Sequence, residues 1–409
     1  MEIINKMKIV ITHPHGNQNT SKTVSLIEKL NFLDSFWTTL ALPFKLNIFK
    51  NKYYKDVSFK KIKINFIKEI LRQICKILRL KNLYLHDHSI FSVNSIYMDL
   101  DMKVSKYLKS NTKNINIIYS YEDCALESFK IAKKNKMKTI YDLTSPYWRL
   151  KEKILEDEIQ LQPEWKLSST EIMTKKKCIN KDNEISLSDQ IIVASSFTAK
   201  SLELFEHQNT SKIHVIPYGI DCLEKKIINK RETNEKLKLF FVGRPILSKG
   251  IQYVIQALNQ IDIPWELEIA GSIPESPQQI SEKLYLFFKD PRCKFLGQIS
   301  NENLLKRMKK SHVFLLTSLY EGFGQVLLEA LSCSLPVITT YNTGGVDIID
   351  HGKNGFLTPV RDTKKTIEIL HNLYHNEEFR RSIAENAFAN VNNFTWTKYQ
   401  NALGKIIRI

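Results

Sequence analysis

The chain has 409 residues, of which 43% are hydrophobic and 25% charged. It is therefore longer than the roughly 250–300 residues at which single cores stop growing, and two domains are expected. With 13 Gly and 12 Pro it is not collagen-like or disordered, and no apolar stretch approaches the ~18 residues of a spanning helix. Sixty Lys and Arg against 43 Asp and Glu leave a charge of +17, which implies a polyanionic partner: nucleic acid, an anionic membrane face or a phosphorylated substrate.

The N-terminus, MEIINKMKIVITHPHG, lacks the long apolar core of a signal peptide. Six scattered cysteines form no C-x-x-C pair, so a disulfide framework and a zinc site are not expected, and a reducing cytoplasm is. In chain order, Met7–Thr12 reads as a buried first strand and Thr20–Leu30 as a helix. Asn116–Tyr119 and Lys138–Leu143 read as strands around a helix at Asp123–Asn135. Gln190–Ala194 and Ile213–Pro217 are further strands, the first leading into a helix at Ser195-Ser196-Phe197-Thr198. Glu224–Lys236 is polar and without period, which suits an inter-domain connection. A second series follows, with strands at Leu237–Gly243, Glu266–Gly271, Lys294–Gly297, His312–Thr317 and Pro336–Thr340. Helices alternate with them at Ile251–Ile261, Asn301–Lys310 and Gln325–Cys333, and three more close the chain. The alternation predicts an α/β class with two parallel-sheet, Rossmann-like domains and a ligand cleft at the strands' carboxyl ends.

Charge is not spread evenly. Lys45 to Lys81 carries twelve basic and two acidic residues, a net +10. At 100° per residue, Phe66, Ile67, Ile70, Leu71, Ile74, Ile77 and Leu78 share one arc of a helix, opposite Lys68, Arg72, Lys76 and Arg79. Two readings fit: a core-packed helix with a solvated charged face, or attraction to an anionic cytoplasmic leaflet.

The segment HVFLLTSLYEGFGQVLLEA, His312–Ala330, carries chemistry. A strand ends near Thr317, a loop presents Glu321, and Gly322-Phe323-Gly324 turns the backbone into a helix. The amides of Gln325, Val326 and Leu327 then face the strand ends and favour a phosphate. Glu321 and Glu329 are too far apart to share a proton or metal, yet as acceptors they can grip hydroxylated groups on either side of a diphosphate. FFVGRPILSKG brings Gly243, Arg244 and Lys249 to a neighbouring strand end, and both cations suit a departing diphosphate. His13, His15 and Gly16 follow the first strand; they fit either a cleft wall for the acceptor or satisfied structural polar groups. Asp142 and Glu122 end or follow other strands and are candidates for catalysis or acceptor binding.

G-R-x4-K-G at Gly243–Gly250, E-G-F-G-x4-E-A at Glu321–Ala330, PVITT, Gly344-Gly345 and GKNGFLTPVRD resemble glycosyltransferase family 4, nucleotide-sugar-dependent enzymes of GT-B fold. VIPYGID, HPHGN, Tyr121-Glu122 and Tyr141-Asp142-Leu143 extend the resemblance. It implies a UDP- or GDP-sugar donor and no cofactor or protein-held metal. It also implies transfer with retention to a saccharide or lipid-linked saccharide acceptor, as in surface polysaccharide or lipopolysaccharide synthesis. Arg244 and Lys249 would hold the donor diphosphate, Glu321 the sugar hydroxyls and Glu329 the ribose. Asp347 stands where the family usually has Glu. The expected domains are 1–222 for the acceptor and 223–390 for the donor, with a helix at 391–409 packing back toward the first. A cytoplasmic enzyme, peripheral on the membrane's inner face, would follow.

Three patterns are set aside. Asp99-Leu100-Asp101 and His86-Asp87-His88 lack the surroundings of a metal site, and Gly322-Phe323-Gly324 lacks the third glycine of a dinucleotide fingerprint. The competing functions are an epimerase or hydrolase on the same fold and a non-enzymatic binder of polyanions or membranes. Single-strand RNA stacking motifs are not evident, so nucleic acid is not an expected partner.

Overall fold

The computed structural model describes residues 7–44, 53–168, 171–206, 210–221, 231–232, 235–273 and 280–408. Lys45, Lys50, Lys52 and the expected boundary at 222–223, with most of the Glu224–Lys236 connection, lie outside them. The described residues form two parallel sheets. The first has seven strands in the order β3-β2-β1-β4-β5-β6-β7: β1 Ile9–Thr12, β2 Leu33–Thr38, β3 Ile62–Ile64, β4 Ile117–Tyr121, β5 Lys138–Leu143, β6 Gln190–Val193 and β7 Ile213–Val215. The second has six in the order β10-β9-β8-β11-β12-β13: β8 Leu237–Val242, β9 Trp265–Ala270, β10 Cys293–Gly297, β11 Val313–Leu316, β12 Val337–Thr340 and β13 Phe356–Thr358. In each sheet the order reverses beside the first strand. Such a switch point opens a crevice at the carboxyl ends of β1 and β4 in one domain, and of β8 and β11 in the other.

Residues of β1 (IVIT), β11 (VFLL) and β12 (VITT) are all buried, as continuous apolar runs in helix-covered parallel sheets must be. The sheets extend past the expected strands, through β2 and β3 at one edge and β13 at another. β2 reads LDSFWT, where Asp34 and Ser35 interrupt the apolar pattern. Asp34 Oδ2 is satisfied there by the hydroxyls of Ser35 and Tyr107, both at 2.8 Å.

Among the described residues three crossings join the domains. Residues 216–221 pass into the connection, and Ile220 bridges Thr395 while its amide donates to the Phe394 carbonyl at 2.9 Å. The returning chain forms the helix Trp396–Arg408, whose Trp396, Tyr399, Leu403 and Ile407 join the first domain's core. Tyr399 and Thr23 share a hydroxyl–hydroxyl bond of 2.9 Å.

The third crossing is an arm. The helix Trp148–Leu161 and the residues after it leave the first sheet, and Leu155 and Trp165 bury in the second domain's core. Lys166 N–H donates to the Ile280 carbonyl at 2.8 Å, and Glu171 Oε1 accepts the Ser248 amide at 2.9 Å. Glu158, fully buried, accepts from Gln252 Nε2 (2.8 Å), Tyr253 Oη (2.7 Å) and Arg361 Nε (2.7 Å). Among the described residues no helix is long and apolar enough to cross a membrane.

Candidate active site

The two switch points face each other across a cavity of about 490 Å³. Its first-domain wall is His13, His15, Gly16 and Asn17 from the loop after β1, with Tyr97, Thr144 and Tyr218. Its second-domain wall is Glu321 through Gln325. Loops from opposite halves of the chain thus form one site.

Gly322 explains the close approach. A Cβ there would lie 1.9 Å from the Thr144 carbonyl oxygen of the first domain, so only glycine fits. The Gly322 carbonyl accepts hydroxyl bonds from Ser195 (2.5 Å) and Thr198 (2.9 Å), at the start of the helix Ser196–Ser201. Asp347 reaches the same helix start: its Oδ2 accepts the Ser196 amide at 2.8 Å and its Oδ1 the Ser196 hydroxyl. A carboxylate beside helix-terminal amides is stabilised by them, and here it also ties the domains. Gln325 Nε2 adds a bond to the Gly219 carbonyl at 2.8 Å.

Gly324, with φ +82°, starts the helix Gln325–Ser332. Of the three amides expected to face a phosphate, that of Leu327 is engaged by the Gly324 carbonyl at 2.8 Å. The outward-facing set is thereby reduced to Gln325 and Val326, and the Val326 side chain packs partly against the second domain's core. Phe323 is buried with its ring 5.3 Å from Tyr218, edge to face, and its carbonyl accepts the Gly344 amide at 2.8 Å.

Lys249 ends the short turn Leu247–Lys249 after β8, and its ammonium pairs with Glu321 Oε1. The Ser318 hydroxyl reaches the same oxygen at 3.3 Å. Gly243 lies against the lysine stem, a Cβ there being 3.8 Å from Lys249 Cγ and Cδ. Arg244, half-buried, follows it. Glu329 occupies the second turn of the Gln325 helix, where Asn301 Nδ2 donates to its Oε1 at 2.8 Å. Burial lifts its carboxyl above the ordinary glutamate range, and the Asn301 bond opposes this. Arg244, Lys249 and Glu329 are not among the residues lining the shared cavity, which Lys249 reaches only through its partner Glu321.

On the first-domain side, His13 Nδ1 accepts the His15 amide at 3.0 Å, so the neutral ring carries its proton on Nε2. Its ring packs edge-on against Tyr121 at 4.0 Å, and His15 does likewise against Tyr97 at 5.4 Å. Asn17 Oδ1 caps the helix Gln18–Lys29 through the Thr20 amide at 2.9 Å.

Glu122 and Asp142 do not line the cavity. Glu122 is bound by Lys181 Nζ at 2.5 Å and by the Ser145 hydroxyl at 2.9 Å, which braces the Thr144 loop from behind. Burial alone would lower Lys181, but Asp123 and Glu122 outweigh it and hold the ammonium well above its ordinary pKa. Asp142 is the next-to-last residue of β5, 1% exposed, and its Oδ2 accepts the Tyr119 hydroxyl at 2.6 Å. Burial pushes this carboxyl up to about 7, although Tyr119 and Tyr121 hold it down.

The folded state thus keeps a proton on Asp142 that the unfolded chain releases near pH 4. Stability from this group falls as pH rises from about 4 to about 7, by on the order of 4 kcal/mol at about 1.4 kcal/mol per tenfold change in proton affinity. Asp142→Asn is therefore expected to raise Tm relative to wild type at pH 8 and to change it little at pH 4. Paired thermal melts check this, and an equal shift at both pH values would refute it.

The patterns set aside have structural explanations. Asp101 caps the helix Leu126–Lys134 through the amides of Glu127 (2.6 Å) and Ser128 (3.0 Å). Asp99 accepts from Asn65 at 2.7 Å. His86 and His88 stack on each other at 5.5 Å. Sequence reasoning missed Tyr97 and Thr144 in the cavity wall, since neither carries a motif. Tyr218, by contrast, stood within the quoted VIPYGID.

Comparison with known proteins agrees with this layout. Residues 224–390 match the family model described as glycosyl transferases group 1. An uncharacterized glycosyltransferase of Methanocaldococcus jannaschii is 28% identical over 220 residues, 54% of this chain and 59% of that protein. The capsular polysaccharide biosynthesis glycosyltransferase CapM of Staphylococcus aureus is 27% identical over 212 residues, 51% of this chain and 55% of that one. The chain thus spans a little over half the length of these relatives. The crystal structure of HepE of Anabaena in complex with UDP and glucose superposes with a TM-score of 0.66 at 16% identity, covering 98% of this chain and 99% of the other. That is a likeness of fold. Residues 224–390 are thus similar to the group 1 glycosyl transferases, and the chain as a whole has the GT-B fold.

Proposed function

We propose that the protein transfers a sugar from a UDP- or GDP-sugar to an acceptor hydroxyl with retention, as a family 4 glycosyltransferase. One observation carries the reading: Lys249 is paired with Glu321, which lines, beside the start of the Gln325 helix, a cavity closed by the first domain's His13–Asn17 loop. The two charges satisfy each other. A donor replaces both halves of that pair, its diphosphate taking the lysine and its sugar hydroxyls the carboxylate.

Arg244, Lys249 and the amides of Gln325 and Val326 then oppose the negative charge that grows on the departing diphosphate. Glu321 orients the sugar and Glu329 holds the ribose. No protein-held metal is needed for that charge balance. His13 and His15 face the acceptor, a saccharide or lipid-linked saccharide. The UDP and glucose bound by HepE and the polysaccharide role in CapM's name support the donor class and pathway.

The test is thermal denaturation with UDP, GDP, UDP-sugars and GDP-sugars. Ligand at a hundredfold excess over Kd stabilises by about 2.7 kcal/mol, so one base series is expected to raise Tm by a few degrees. Glu329→Ala is expected to abolish that rise. Failure of every nucleotide to shift Tm would overturn the reading.

A further inference from the structure

The helix Ile67–Ile77 follows the edge strand β3 and sits in the water the wrong way round. Amphipathic helices on globular proteins turn their apolar stripe to the core. Here only Cys75 of the eleven residues is buried. The stripe found by periodicity faces outward, with Ile67 60%, Ile77 80% and Leu78 61% exposed and Ile70 and Ile74 exposed beside them. The opposite side is turned to the protein: Lys68 Nζ donates to the Ser95 hydroxyl at 3.0 Å and Cys75 is buried, while Arg72 pairs with Glu69 within the helix at 3.7 Å. A core-packed helix, one of the two readings of its sequence, is excluded.

A cationic collar surrounds the helix, with Lys76 and Arg79 on the side away from the stripe and Lys60, Lys63 and Lys81 beyond its ends. Lys60, Lys63, Lys76, Arg79 and Lys81 are exposed, and Glu69 is the single acid from Phe59 to Lys81. We propose that this helix is an interfacial anchor that seats the first domain on an anionic lipid bilayer. The apolar stripe enters the acyl boundary while the collar meets the headgroup charges, a division that suits a helix lying in the interface plane. A second copy of the chain would set collar against collar, and like charges repel. A nucleic acid would meet the isoleucines where its phosphates need cations.

The anchor lies beside the cleft. Ser95, which holds Lys68, is two residues from Tyr97 in the cavity wall. Docking would therefore bring the first domain's side of the site to the membrane surface. This inference stands on the helix alone, and its test contains no nucleotide, so it fails or survives independently of the transferase reading.

The test is co-sedimentation of the full chain with vesicles of phosphatidylcholine, with and without about 30 mol% phosphatidylglycerol. Binding is expected to the anionic vesicles only. It should weaken between about 0.1 M and about 1 M salt, where the Debye length falls from about 10 Å to about 3 Å. Ile74→Ser/Ile77→Ser is expected to reduce binding at least about tenfold with unchanged Tm, since the replaced side chains touch water in the free protein. Lys76→Gln/Arg79→Gln/Lys81→Gln should reduce it about a hundredfold. Absence of binding, equal binding by the serine variant, or a dimer in solution that the serine variant dissociates would each overturn the proposal.

Discussion

Lys249→Ala is expected to slow sugar transfer by roughly a hundred- to a thousandfold, the loss that follows removal of one preorganised charge from a developing anion. Folding should be nearly unaffected. Lys249 is half-buried at the end of a short turn, and its visible partner is Glu321. Removing the ammonium leaves that carboxylate at a cavity wall open to solvent, a mild loss compared with a buried charge. Donor affinity should fall less than turnover, because the diphosphate gains charge as it leaves. Initial rates at saturating donor, with Tm as the control, decide the matter. Near-normal turnover would refute the leaving-group role.

Glu158→Ala is expected to cost about 3–5 kcal/mol of stability, a fall in Tm of roughly ten degrees. The carboxylate is fully buried and joins the arm to Gln252, Tyr253 and Arg361. Without it, three donors face a cavity, and the guanidinium of Arg361 loses its acceptor at 2.7 Å. Glu158→Gln should lose only part of this, because an amide oxygen can still accept from Gln252 and Tyr253. Thermal melts of the two variants check the ranking, and equal losses in both would contradict it.

Much of this molecule was legible in its sequence. Continuous apolar runs marked β1, β4, β8, β11 and β12, because a parallel strand covered on both faces has no polar side to confuse the reading. The glycines of Glu321–Gln325 marked a sharp entry into a helix, and the pairing of Lys249 with Glu321 lies where those motifs converge. Other features depended on tertiary context. The arm reads WRLKEKILEDEIQL, a charged helix whose one buried carboxylate, Glu158, looks like its solvated neighbours until Arg361 arrives from 203 residues away. The helix Lys175–Ser186 hides Lys181 and Glu184 in the same way. Periodicity revealed the two faces of Ile67–Ile77, but a moment has no sign relative to a core that is not yet placed. Asp142, at the end of an apolar strand, has the sequence signature of a catalytic acid and the surroundings of a packed one.

The crossings carry a consequence for engineering. A chimera that takes its second domain from a relative cannot be cut at the inter-domain connection alone. The segment 148–171 would have to travel with the new half, and the terminal helix Trp396–Arg408 would have to stay with the old one, so four junctions are needed where the linear map suggests one. Recombination at a single point would strand Trp165 without its pocket and strip the first sheet of Tyr399. In this fold, specificity can be exchanged only as an interlocked pair.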